Sequence, residues 1–120
     1  MKILIADDSR AMRQVINHML RQAGYRGYQV VEAADGVEAL EAVLNEEPDL
    51  ILSDWNMPNK TGIEFLKELR ESGSEIPFGF VTTEISGEMR DLALESGAAF
   101  LIGKPFVPED FQRVLDDYLG

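Results

Sequence analysis

Five short apolar runs, each separated from the next by a longer helix-like pattern, constrain this chain more than any other feature. Ile3-Leu4-Ile5-Ala6 stops at Asp7-Asp8, and Gln29-Val30-Val31-Glu32-Ala33 follows. Leu50-Ile51-Leu52-Ser53 stops at Asp54, Phe78-Gly79-Phe80-Val81 at Thr82, and Ala99-Phe100-Leu101-Ile102 near Lys104-Pro105. Runs this short and this apolar read as strands buried on both faces. Between them apolar residues recur at helical spacing. Met12, Val15, Ile16, Met19 and Leu20 form the first such stripe, and Gly24 stops that helix. Val37, Leu40, Val43 and Leu44 follow Asp35-Gly36, with Pro48 closing the helix. Ile63, Leu66 and Leu69 mark a third helix after Pro58 and Gly62. A fourth spans about 87–96 with a thin apolar face, and Pro108-Glu109-Asp110 starts a fifth with Phe111, Val114, Leu115 and Tyr118 buried.

Strand and helix alternating five times imply a parallel sheet covered on both sides. Right-handed crossovers then favour an α/β, flavodoxin-like doubly wound (βα)5 sandwich with a five-stranded parallel sheet. The 120 residues suit one domain, residues 1–120, with no output domain expected. The net charge of −11 opposes binding to nucleic acid or to anionic membranes, and cysteine is absent, which excludes disulfides and thiolate metal sites. No apolar run is long enough to span a bilayer and no leader pattern is visible, so the chain reads as cytoplasmic.

In an open α/β sheet, ligands bind beyond the carboxyl ends of the strands. Three carboxylates (Asp7, Asp8, Asp54), one hydroxyl (Thr82) and one ammonium (Lys104) fall there. A pair of carboxylates about 4 Å apart repels by roughly 4 kcal/mol at an effective dielectric near 20, so protons or a cation must relieve the cluster. An all-oxygen set suits Mg²⁺. A nucleophilic aspartate beside a metal and a fixed ammonium suits phosphoryl transfer to a carboxylate. Taken singly, each residue has a plainer reading: Asp8 or Ser9 as a helix N-cap, Asp54 as a loop acid, Thr82 as a strand end, Lys104-Pro105 as a surface turn. Their joint placement on strand ends favours the site.

At these residues the chain resembles response-regulator receiver domains of two-component systems over essentially its whole length. The matching pieces are Asp7-Asp8, Asp54 with Met57-Pro58 and Gly62, Thr82, and Lys104-Pro105. The resemblance implies that Asp54 is the phospho-acceptor and that Asp8 is a direct Mg²⁺ ligand, with Asp7 acting largely through metal-bound water. It also implies that Asn56 gives its backbone carbonyl to the metal, that Thr82 and Lys104 bind the phosphoryl group, and that the Lys104-Pro105 peptide is cis. Asp54-Trp55-Asn56-Met57-Pro58-Asn59, Asp8 to Arg13 and Thr82-Thr83-Glu84 are most similar to chemotaxis regulators of the CheY type. That likeness implies a sensor histidine kinase as donor, a protein output such as the flagellar motor switch, a phosphatase, and a monomer. A chain of this kind is a signalling module that catalyses only its own phosphorylation and slow autodephosphorylation.

Three positions depart from the family pattern. Leu101 stands where an aromatic switch residue is usual, Thr83 where a small residue is usual, and Gly103 precedes Lys104. Phosphoryl uptake should survive these changes, whereas a tyrosine-type switch cannot operate unchanged. Met89, Leu101, Val107 and Tyr118 would lie on the output face. Asn56 and Glu84, each two residues beyond a cleft residue, either tune dephosphorylation or are ordinary loop polarity. His18, the sole histidine, reads as a structural or exposed residue of the first helix. Arg10 and Lys60 could help recruit an anionic donor, and Trp55 is a natural fluorescent reporter.

Three other functions compete. A phosphorelay intermediate or phosphate sink needs no output partner. An aspartyl-phosphate phosphatase generally needs an acid two residues after its nucleophile, where this chain has Asn56. A flavin-binding protein of the same fold would present hydroxyl-rich loops at these strand ends, not carboxylates.

Overall fold

A computed structural model describes residues 1–83 and 85–119. The elements run β1 (Lys2–Ala6), α1 (Arg10–Gln22), β2 (Gln29–Ala33), α2 (Gly36–Glu46), β3 (Leu50–Ser53), α3 (Gly62–Glu71), β4 (Phe78–Thr82), α4 (Gly87–Glu95), β5 (Phe100–Gly103) and α5 (Pro108–Leu119). The five strands form one parallel sheet in the order β2-β1-β3-β4-β5. The sequence-based expectation of a doubly wound (βα)5 sandwich therefore holds. Successive strands run outward from β1 in opposite directions, which puts the topological switch point between β1 and β3.

Two apolar layers flank the sheet. Ile3, Ile5, Leu50, Leu52, Val81, Phe100 and Ile102 face α1 and α5, where Ile16, Leu20, Phe111 and Leu115 meet them. Leu4, Ala6, Ile51, Phe78 and Phe80 face the other way, toward Ala39, Phe65, Leu66, Leu69 and Ala93 of α2, α3 and α4. Alternate residues of each central strand thus enter opposite layers, as the period-two geometry of a strand requires.

Four residues expected in buried stripes are exposed: Val15, Val37, Leu44 and Tyr118. On α2 the fully buried residues are Gly36 and Ala39, with Leu40 and Val43 only half-buried. A small residue at the contact lets that helix approach the sheet closely and turns its larger apolar residues aside. On α3 the buried face includes Phe65, while Ile63 is half-buried. Helix α4 buries Ala93 alone, consistent with its thin apolar face. The Lys104–Pro105 peptide is cis. Among the described residues no helix is long and apolar enough to cross a membrane.

Candidate functional site

Register builds the site. Ala6 pairs with Ser53 across β1 and β3, so the next residues, Asp7 and Asp54, emerge side by side at the switch point. The backbone N–H of Asp54 donates to the Ala6 carbonyl at 2.8 Å, and that of Asp7 donates to the Ala33 carbonyl at 3.0 Å, which carries the sheet one residue beyond the strands. On the other side Thr82 pairs with Gly103, and the Lys104 N–H donates to the Thr82 carbonyl at 2.9 Å. Thr82 and Lys104 are thereby fixed at the same sheet edge.

The three acids converge: one carboxylate oxygen from each of Asp7, Asp8 and Asp54 lies within 4.8 Å of the others. Their environments differ. Asp7 is buried, Asp54 is half-buried and Asp8 is exposed. Lys104 Nζ donates to Asp7 Oδ2 at 3.0 Å and sits 3.7 Å from Asp54 Oδ2. Ser9, the N-cap of α1, donates its backbone N–H to Asp7 Oδ1 at 2.9 Å, and the Trp55 N–H donates to Asp54 Oδ1 at 2.8 Å. Burial pushes the Asp54 carboxyl above its ordinary range. Lys104 opposes that rise, the negative charge of Asp7 adds to it, and hydrogen bonds from the Trp55 N–H and the Thr82 side chain oppose it. A group whose ionisation is hindered by burial and by a neighbouring anion is poised to accept a cation.

The donor set fits a hard divalent ion. Asp7, Asp8 and Asp54 offer oxygen only, no histidine lies among them, and the solvent-open side at Asp8 leaves room for water or phosphate oxygens. Asn56 is exposed in the loop just beyond Asp54. Glu84, weighed with Asn56 as tuning dephosphorylation or as ordinary loop polarity, lies outside the described residues.

Neighbouring residues hold these groups in place, and the contacts of Arg13 had no sequence signal. Arg13 donates Nη1 to the Asp7 carbonyl at 2.5 Å and Nε to Glu32 Oε1 at 2.9 Å, tying α1 and β2 to the backbone under the acids. Gly62 begins α3 so close to the site that a Cβ there would lie 2.1 Å from the Asp54 carbonyl oxygen. Met57 is buried in the layer under α2 and α3, and the Trp55 ring packs on Phe80 at 4.8 Å between centroids. His18 is exposed on α1, and Lys60 pairs with Glu68.

The family model for the response regulator receiver domain matches residues 3–116. This chain belongs to that family. It is 37% identical over 123 residues to the chemotaxis protein CheY1 of Helicobacter pylori (strain ATCC 700392 / 26695), a match covering 100% of this chain and 98% of that protein. It is also 37% identical over 109 residues to the response regulator MprA of Mycobacterium sp. (strain KMS), but spans only 46% of that longer protein. Among solved structures, chemotaxis protein CheY4 of Vibrio cholerae superposes with a TM-score of 0.85 at 40% identity, covering 98% of each chain. Receiver domains of two-component response regulators are signalling modules, and this receiver is CheY-like in both sequence and fold.

Proposed function

We propose that this receiver takes a phosphoryl group from a sensor histidine kinase onto Asp54, with Mg²⁺ held by Asp7, Asp8, Asp54 and the backbone carbonyl of Asn56. The observation that carries the proposal is the convergence of three carboxylates beside Lys104 at the switch point of the sheet. A carboxylate oxygen of Asp54 forms the new O–P bond as the N–P bond of the phosphohistidine breaks, and the electron pair leaves with the imidazole nitrogen. When bound, the metal supplies positive charge that offsets the charge on the phosphoryl oxygens. Lys104 holds a second positive charge 3.7 Å from the acceptor and binds a further phosphoryl oxygen. The Thr82 hydroxyl binds the remaining one. Asp7 is oriented by Lys104 and the Ser9 N–H, and in this reading it holds a metal-bound water.

The output we propose is a protein–protein contact in chemotaxis, made by the face of α4, β5 and α5, with the flagellar motor switch as the partner class. Similarity to the chemotaxis protein CheY1, at 37% identity, and to the structure of the chemotaxis protein CheY4, at 40% identity, supports this reading. A phosphorelay intermediate or phosphate sink is the second reading. It is favoured by Leu101, which is half-buried against the α2–α4 layer and has no ring to swing between states. Capture of a motor-switch segment only in the beryllofluoride-treated state supports output, and equal capture in both states favours the sink. For phosphoryl acceptance itself, intact-mass spectrometry after treatment with acetyl phosphate and Mg²⁺ is the test. One added phosphoryl group, absent in Asp54→Asn and absent with EDTA, is expected.

A further inference from the structure

A side chain of the loop carrying Asn56 reaches across to a different βα unit. Asn59 donates its side-chain Nδ2 to Asp35 Oδ2 at 2.6 Å. Asp35 is buried and is the N-cap of α2, with its other oxygen accepting from the Glu38 N–H at 2.8 Å. Next to this bond the Gly36 N–H donates to the Lys60 carbonyl at 3.1 Å. The approach is so close that a Cβ on Gly36 would lie 2.7 Å from that oxygen. Asn59 itself has φ 64°, a left-handed backbone that asparagine tolerates better than most residues. A surface asparagine in that conformation, with its amide on a buried carboxylate, is a built contact between two loops.

The link from Asn59 back to Asn56 is stiff. Met57 between them is buried under α2 and α3, and Pro58 has a ring-fixed φ. Only these two residues separate Asn59 from Asn56, so the placement of one constrains the placement of the other.

We propose that Asn59 and Asp35 are positioning residues for the metal site: their hydrogen bond latches the β3–α3 loop onto the start of α2 and so sets where the Asn56 carbonyl is presented. The proposal rests on the reading of Asn56 as a metal-facing carbonyl. Neither residue touches the metal or the phosphoryl group. Partners of this outer kind typically alter metal affinity by about 10- to 100-fold when removed.

The test is a Mg²⁺ titration followed by the fluorescence of Trp55, the sole tryptophan and the immediate neighbour of Asp54. It is run on the intact chain with thermal melts alongside. Asn59→Gly keeps the left-handed backbone and removes only the amide, and about tenfold weaker Mg²⁺ binding is expected at a melting temperature near that of the unmodified chain. Asn59→Asp sets two carboxylates against each other and weakens binding further. The double variant D35N/N59D exchanges donor and acceptor, keeps an oxygen to cap α2, and is expected to recover most of the affinity. Recovery in the exchange is the outcome a generally structural role would not give. Unchanged affinity in Asn59→Gly and Asn59→Asp, in a chain that binds Mg²⁺ normally, overturns the latch and leaves the phospho-acceptor reading standing. Absence of any Mg²⁺ response in the unmodified chain overturns both.

Discussion

The segments that follow β3 and β4 end at the same sheet edge but are held very differently. After β3, Asp54 is tied to Ala6, Gly62 to Trp55, Gly36 to Lys60 and Asn59 to Asp35. Met57 is buried, and Thr61 with Glu64 forms a full capping box that starts α3. After β4, Ser86 caps α4, but that helix buries Ala93 alone, and Ile85, Leu92 and Leu94 are exposed. The difference divides the labour of a signalling domain. The side that, on the proposed reading, carries the phospho-acceptor and the cation is anchored by these bonds. The side that, on the same reading, responds is held by little buried apolar surface among the described residues. A near-complete two-state shift needs about 5.5 kcal/mol of differential stabilisation, and such a shift is easier where the resting state is weakly anchored.

Substitutions in the anchored half should therefore cost far more than those in the loose half. The largest effect is expected from Lys104→Met, just past the end of β5, which leaves the buried Asp7 carboxylate on the anchored side without its ammonium. Unfolding by urea without metal should show a loss of about 3 kcal/mol, with part of it restored by Mg²⁺. Gly62→Ala comes next. Its new methyl must push against the Asp54 backbone, and a loss of about 2 kcal/mol with impaired phosphoryl uptake is expected. The matched change on the loose side is Gly87→Ala, where nothing lies within 4 Å of the new Cβ. A gain of about 0.5 kcal/mol is expected there, since alanine is the better helix former. Equal losses at Gly62 and Gly87 would erase the contrast.

Much of this was legible in the chain. All five strands and the polar residues at their ends stand where alternation and punctuation place them, because buried parallel strands are short, apolar and bounded. The convergence of Asp7, Asp8 and Asp54 also followed, since strand-end chemistry and the fold's switch point together leave few other arrangements. The helix faces were less legible. Val37 and Leu44 are exposed while Ala39 is buried, because the closeness of α2 to the sheet selects small residues and a hydrophobicity pattern ranks large ones first. Arg13 and the Asn59–Asp35 bond were illegible, since each joins positions whose proximity exists only after the sheet has formed. The weak half of the molecule was foreshadowed by the thin apolar face of α4.

Two smaller effects sharpen the comparison through pH. Hydrogen bonds from the Glu38 N–H and from Asn59 hold the Asp35 carboxyl below its usual range. Its contribution is thus complete above the unfolded value of about 4 and is lost as pH falls through the lowered folded value. Asp35→Ala should cost about 1 kcal/mol at neutral pH, and less on strong acidification. Asp54 runs the other way. Its carboxyl ionises less readily when folded, so its charge weighs against the fold above the ordinary carboxylate range, and that penalty fades as pH falls. Asp54→Asn should then melt a few degrees higher than the unmodified chain at neutral pH without metal, with the gap closing on acidification. An Asp54→Asn chain that melts lower would show that the cleft is not electrostatically strained.

The most direct measurement is chemical trapping of the acyl phosphate. After acetyl phosphate and Mg²⁺, borodeuteride reduction converts a phosphorylated aspartate to labelled homoserine, and peptide mass spectrometry locates the label. The expected result is label at position 54 alone, abolished by EDTA. Label on another carboxylate, or at position 54 irrespective of metal, would contradict a phospho-acceptor built from three converging acids and a divalent ion.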